Sequence, residues 1–194
     1  MTGLNVFSVA RFGKFPTTRI QGREARALLE DLLANQHDID LTIDFTGVTA
    51  MTHSFLDEFL GKFLTTIEPE ESGLTVKVMG LNDENAESLT VSLERRNASV
   101  AVLHDGDASL SLVGDPIAGE TFRTVIALGR CKATEVAEAL STSAQNANNR
   151  LKRLVTYGAA RKIRTSGAAR GGKEFLYEAV TSYVPDAEAL VNLT

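Results

Sequence analysis

The chain contains one cysteine, three histidines and no apolar run near the ~18–20 residues of a bilayer-spanning helix. A lone Cys131 cannot close an internal disulfide. It falls at a helix–helix junction, where a small, partly buried side chain suffices. His37, His53 and His104 lie far apart with no ligand spacing, so neither a metal site nor a cofactor is expected. The start, Met1-Thr-Gly-Leu-Asn-Val6, lacks the basic segment and apolar core of a secretory signal. Together these absences point to a cytoplasmic protein with no membrane partner. A nucleophile beside a base is also missing. Gly114-Asp-Pro-Ile-Ala-Gly-Glu-Thr121 mimics a phosphate-binding loop, yet Glu120 stands where such a loop needs lysine and would repel phosphate. Asp115-Pro116 reads instead as a linker turn, and Gly119-Glu-Thr121 as a helix start. No catalytic residue is assigned, and an enzyme is the weakest functional reading.

Hydrophobic residues at 43% and charged residues at 23% are ordinary for a globular chain. A length of 194 residues allows one large or two small domains. Alternating strand and helix patterns fill the first half, and helices dominate after the junction at 97–119. Val100–Leu103 and Ser109–Val113 flank His104-Asp-Gly-Asp107, a hairpin turn. The expected division is residues 1–113, ending in a hairpin over 99–113, and residues 114–194. Charge follows it. Residues 120–178 hold 11 Lys and Arg against 5 Asp and Glu, whereas residues 1–119 hold 9 against 18. An acidic chain thus concentrates its cations in one segment, which is the footprint of a phosphate-binding face.

That segment predicts helices over Phe122–Leu128, Lys132–Leu140 and Ser141–Tyr157. A strand Ala160–Arg164, a Gly-rich loop Thr165–Lys173 and a strand Glu174–Val180 follow. Thr134 is a candidate cap for the middle helix, whose apolar face is Val136, Ala137 and Leu140. In the third helix Ala147, Leu151 and Leu154 share one face, and Gln145, Asn146, Asn148, Asn149, Lys152 and Arg153 take the other. Gly158 stops it. Pro185–Val191 reads as a short terminal helix. The order of elements resembles the winged helix-turn-helix of bacterial regulators of the MarR, ArsR and GntR kinds. That resemblance implies that Ser143–Tyr157 enters the major groove of double-stranded DNA. Ser143 at the helix start would lie at the DNA, Gln145, Asn146 and Asn149 would face the bases, and Lys152, Arg153, Arg164, Arg170 and Lys173 the phosphates. The alternative is a protein-docking module whose amide face is only solvated.

The first half predicts a strand Leu4–Phe12, a connection Gly13–Gly22, and a helix Arg23–Asn35 with Ala25, Leu28, Leu29, Leu32 and Leu33 inward. Next come a strand Ile39–Phe45, a loop Val48–His53, and a helix Ser54–Ile67 with Phe55, Phe59, Phe63 and Ile67 on one face. A strand Leu74–Leu81 and a helix Glu84–Arg96, fraying near Thr90–Ser92, complete it. The fold class is α/β (α+β), a sheet with helices packed on it. Leu41-Thr-Ile-Asp-Phe-Thr-Gly-Val-Thr-Ala-Met-Thr-His-Ser-Phe-Leu-Asp-Glu-Phe-Leu60 resembles the signature of the STAS-like DUF4325 family, whose members often occur beside GHKL-type ATPases or DNA-binding domains. STAS relatives that antagonise anti-sigma factors are switched by serine phosphorylation at the loop-to-helix junction. Ser54 matches that junction position, with Thr52 and Asp57 around it, although the Asp and Gly of the antagonists' element are missing. The plainer reading makes Ser54 the helix cap and Asp57 its capping-box partner. Asp44, at the strand end, reads as a loop brace.

The expected function is a DNA-binding transcriptional regulator that acts as a homodimer. Its first half would sense a partner or make the dimer. The alternative is an interaction adaptor, or a switch of the anti-sigma-antagonist type, working with a GHKL-type ATPase.

Overall fold

The computed structural model describes residues 3–165 and 174–184. Its first half runs β1 (Gly3–Ser8), a 3-10 turn (Val9–Phe12), α1 (Arg19–Leu33), β2 (Ile39–Asp44), α2 (His53–Leu56), a π turn (Asp57–Gly61) and α3 (Lys62–Thr66). One-turn α4 (Pro69–Ser72), β3 (Thr75–Met79), α5 (Asp83–Arg96), β4 (Val100–Leu103) and β5 (Leu110–Val113) complete it. The five strands form one sheet in sequence order, with the first four parallel and β5 antiparallel on β4. The mixed α/β class expected from the pattern is therefore present, and the hairpin ends this sheet.

Each crossover advances the chain by one strand in the same direction. α1 contacts α2 and the π turn, and α5 contacts both as well, so the crossover helices share one face of the sheet. Period-two alternation decides what that face carries. Leu41 and Ile43 of β2, Val76 and Val78 of β3, and Val100 and Val102 of β4 join Phe55, Phe59, Phe63, Leu89 and Leu93 from the helices in one core.

Several helix starts differ from expectation, for local reasons. α1 begins at Arg19 rather than Arg23, because Thr18 and Gln21 form a capping box. Gly22, which reads as a breaker, lies inside the helix. A Cβ there would sit 2.6 Å from the Phe55 carbonyl oxygen, so its lack of side chain lets α1 close on α2. α5 is continuous through Thr90–Ser92 and shows no fraying. The strand expected over Leu4–Phe12 stops at Ser8 and becomes the 3-10 turn.

The second half runs α6 (Pro116–Leu128), α7 (Ala133–Ala139), α8 (Ala144–Thr156), β6 (Ala160–Thr165) and β7 (Glu174–Ala179). α6 starts six residues before the expected Phe122, because Asp115 caps it and Pro116 fits the first helical position. Asp115-Pro116 is thus a helix start rather than a linker turn. Thr134 does not cap α7. The Glu135 carboxylate accepts instead from the Lys132 backbone N–H at 2.6 Å. β6 and β7 pair antiparallel, and Cys131 adds a bridge to Tyr177. Cys131 is fully buried in a second core with Phe122, Val136, Leu151, Leu154 and Tyr177. The terminal helix expected over Pro185–Val191 lies outside the described residues.

The second half covers the other face of the five-stranded sheet. Alternation puts Asp40 and Thr42 of β2 and Thr75 and Lys77 of β3 there, and all four are buried. Arg161 of β6 reaches Asp40 at 2.9 Å and the Gly73 carbonyl at 3.0 Å. The Lys77 ammonium donates to the Tyr183 carbonyl at 2.8 Å. At the edge, the Val76 N–H donates to the Gly158 carbonyl at 2.8 Å.

Candidate nucleic-acid interface

α7 and α8 are joined by a short turn in which Ser141 takes a positive φ of 49° and the Thr142 N–H returns to the Ala137 carbonyl. Ser143 caps α8, its hydroxyl accepting from the Asn146 N–H at 3.2 Å. Ala147, Leu151, Leu154 and Val155 are buried, and α8 packs on α6 and α7. Gln145, Asn146, Asn149 and Lys152 are exposed, whereas Asn148 is half-buried. Gln145 donates along the helix to Asn149 at 3.2 Å, and Asn146 to the Thr142 hydroxyl at 2.8 Å. These exposed bonds orient the amides and can be exchanged for other partners at little net cost.

The cations divide into two groups. Arg130 pairs with Glu178 at 3.1 Å, Arg150 with Glu120 at 2.8 Å, Arg161 with Asp40 at 2.9 Å and Lys162 with Glu70 at 2.8 Å. Arg153, assigned from sequence to phosphates, pairs with Asp115. Its pKa is raised, chiefly by a hydrogen bond with Tyr157. Five cations of the basic segment therefore hold carboxylates, and three of those carboxylates, Asp40, Glu70 and Asp115, come from the acidic residues 1–119. Lys152 and Arg164 are exposed. Arg170 and Lys173 lie outside the described residues. Sequence reasoning did not single out Arg161 and Lys162. Their signal was their place in a strand, where successive side chains must take different surroundings.

The loop before α2 is built otherwise than the sequence suggested. Thr52, not Ser54, caps the helix. Its hydroxyl accepts from the Phe55 N–H at 3.2 Å and donates to the Thr17 carbonyl at 2.7 Å. Ser54 is half-buried in the first turn. Asp57 does not close a capping box. Its carboxylate takes a two-point contact from Arg96 at 2.6 and 2.8 Å, and this bond holds its pKa below the ordinary value. The cap moves because Thr52 has extended backbone angles while Ser54 is already helical. Asp44 braces the loop, accepting from the Thr46 N–H at 2.8 Å. Asn82 and Asn85 hold the Thr49 and Val48 carbonyls. The preceding connection, tied to this loop through Lys14 and Pro16, leaves Phe15 60% and Ile20, at the start of α1, 62% exposed.

Among the described residues no group of three or more His, Cys, Asp and Glu could hold a metal ion, and no helix is long and apolar enough to cross a membrane. Residues 21–86, about a third of the chain, match the family model of a STAS-like domain of unknown function (DUF4325). The match spans α1 through the start of α5, including the braced loop, Thr52, Ser54 and Asp57. No curated protein matches the chain.

Proposed function

We propose that the chain is a DNA-binding transcriptional regulator with two parts. Residues 1–113 form a STAS-like sensing or dimerising part, and residues 114–194 a winged helix-turn-helix part. Three helices followed by an antiparallel pair of strands support the second assignment. The strongest support is α8 itself, a side-chain-capped helix with one face buried and an open row of amides on the other. Asn and Gln amides match adenine edges in the major groove, so Gln145, Asn146 and Asn149 are the base readers. Ser143 sets the helix start beside them. Lys152 and Arg164 contact phosphates, joined by Arg170 and Lys173, while Arg153 spends its charge on Asp115. A homodimer would present two such helices to a two-fold operator. No residue is given a catalytic role.

Fluorescence anisotropy on specific and random duplexes at several salt concentrations tests this reading. Asn149→Ala should cost roughly 1–3 kcal/mol on the preferred site and little on random DNA. Lys152→Ala with Arg164→Ala should weaken both and flatten the salt slope by roughly 0.9 per lost contact. Absence of binding to either duplex at low salt sinks the reading. A second reading, an adaptor for a protein such as a GHKL-type ATPase, draws support from the exposed Phe15 and Ile20 near Thr52 and Ser54, and from the five cations already paired. Co-elution with such an ATPase, lost on Phe15→Ser, would favour it.

A further inference from the structure

A cavity of about 450 Å³ opens beside the amino-terminal ends of β2 and β3, away from the loop before α2. Its wall is apolar, with Leu33, Phe63, Ile67 and Leu74 among the lining residues. Glu30, Glu68 and Glu71 line it too, together with His37. Among the described residues neither lysine nor arginine lines it. The volume suits a small organic molecule, the apolar wall favours a hydrocarbon or aromatic body, and three carboxylates favour a positive charge. Leu33 and Ile67 are half-buried and present apolar surface, whereas the three glutamates are exposed, so an occupant would lay its body on the apolar wall and keep its charge at the mouth.

One wall of this cavity is α4. Glu71 and Ser72 line the cavity, while Glu70 on the same turn pairs with Lys162 of β6 at 2.8 Å. α4 also contacts α8. A single helical turn therefore stands between the cavity and the proposed DNA-reading helix.

We propose that this cavity binds a small organic cation with an apolar body, of the arylalkylamine kind, and that its occupancy reaches β6 and α8 through α4. The regulatory meaning rests on the DNA-binding reading above. The binding and its transmission do not.

The test is a titration of the whole chain with 2-phenylethylamine, without DNA, followed by amide proton–nitrogen NMR. Amides of Leu33, Phe63 and Leu74 should shift saturably, and those of Leu151 and Lys162 should shift with the same dissociation constant. Phenylacetate, with the same ring and opposite charge, should shift none of them. Glu68→Gln with Glu71→Gln should weaken the amine about fivefold, as loss of two solvent-facing charge contacts does. Glu70→Gln should leave the cavity shifts in place and shrink those at Leu151. No saturable shift at the cavity amides, or equal binding of phenylacetate, overturns the ligand class. Silent Leu151 and Lys162 amides at saturation overturn the transmission. Anisotropy with duplex DNA is measured separately. Shifts without any DNA binding would refute the regulator reading and leave the cavity standing.

Discussion

On one face of the five-stranded sheet, Leu41, Ile43, Val76, Val78, Val100 and Val102 lie under three crossovers of helix. On the other, Asp40, Thr42, Thr75 and Lys77 lie under the second half of the chain. Both faces are covered, but the balance of forces differs: the second cover also packs on Ala101 of β4, yet most of what it meets on β2 and β3 is polar. Apolar burial is non-directional and grows with area, about 25 cal/mol per Å², so the helices gain stability from any close fit. Buried polar groups must be matched one by one, or each costs its desolvation. Such matched pairs therefore add little net stability, and each fixes the position of the group that meets it. Arg161 must meet Asp40, and a carbonyl must meet Lys77. The Thr42 hydroxyl has no partner among the described residues, so even this match is incomplete.

Four experiments would break or sharpen this contrast. The largest effect belongs to the apolar face. Phe59→Ala should cost about 3–5 kcal/mol in urea unfolding, because Phe59 is fully buried against Phe7 and Phe55. A loss below 1 kcal/mol would mean that the helical layer is not the main source of stability.

On the polar face, Arg161→Ala should cost about 2–3 kcal/mol. That is below a fully buried pair, since 16% of the Arg161 side chain and 12% of the Asp40 side chain meet solvent. Adding Asp40→Ala should recover part of the loss, because it removes a carboxylate left with no paired cation and only the Thr75 hydroxyl as donor among the described residues. A purely additive double mutant would show that the pair confers no mutual stabilisation.

The helix start comes third. Thr52→Ala should cost about 0.5–2 kcal/mol, whereas Ser54→Ala should stay within about 0.5 kcal/mol. The reverse order would restore Ser54 as the cap.

Lys77→Met should have a small effect at neutral pH, within about 1 kcal/mol, since it trades a desolvated charge and one hydrogen bond for a matching apolar chain. Its pH dependence is the sharper readout. Burial lowers the Lys77 pKa in the folded protein, so over the window between that lowered value and the ordinary lysine value the unfolded chain binds more protons. Wild-type stability should then rise with pH relative to the methionine variant. A flat difference between the two would mean that Lys77 is well solvated.

Much of α8 was legible beforehand. Its apolar spacing, Ser143 at its head and Gly158 at its end are signals carried by neighbours within one or two turns, and the structure places all three accordingly. The exposure of Gln145, Asn146 and Asn149 was legible for the same reason. The basic surplus of the segment was also plain, but not its fate. A count of charges holds no information about which carboxylate each cation meets, and those of Arg161 and Lys162 lie about 90–120 residues away in sequence. The sequence pointed to Ser54 as the cap, but Thr52 can cap equally well, and backbone angles two residues apart decide for it.

The alternation Ile39-Asp-Leu-Thr-Ile-Asp44 already set which side chains of β2 face together, since a strand must send its side chains alternately to its two faces. That pattern alone reads as a strand with one buried and one wet face. Whether the polar face meets water or protein depends on what arrives to cover it, and no local rule carries that. All three crossovers lie on one face, which leaves the other bare until the second half docks. Asp40 and Lys77 are buried because Arg161 and the Tyr183 carbonyl, more than 100 residues further on, come to meet them.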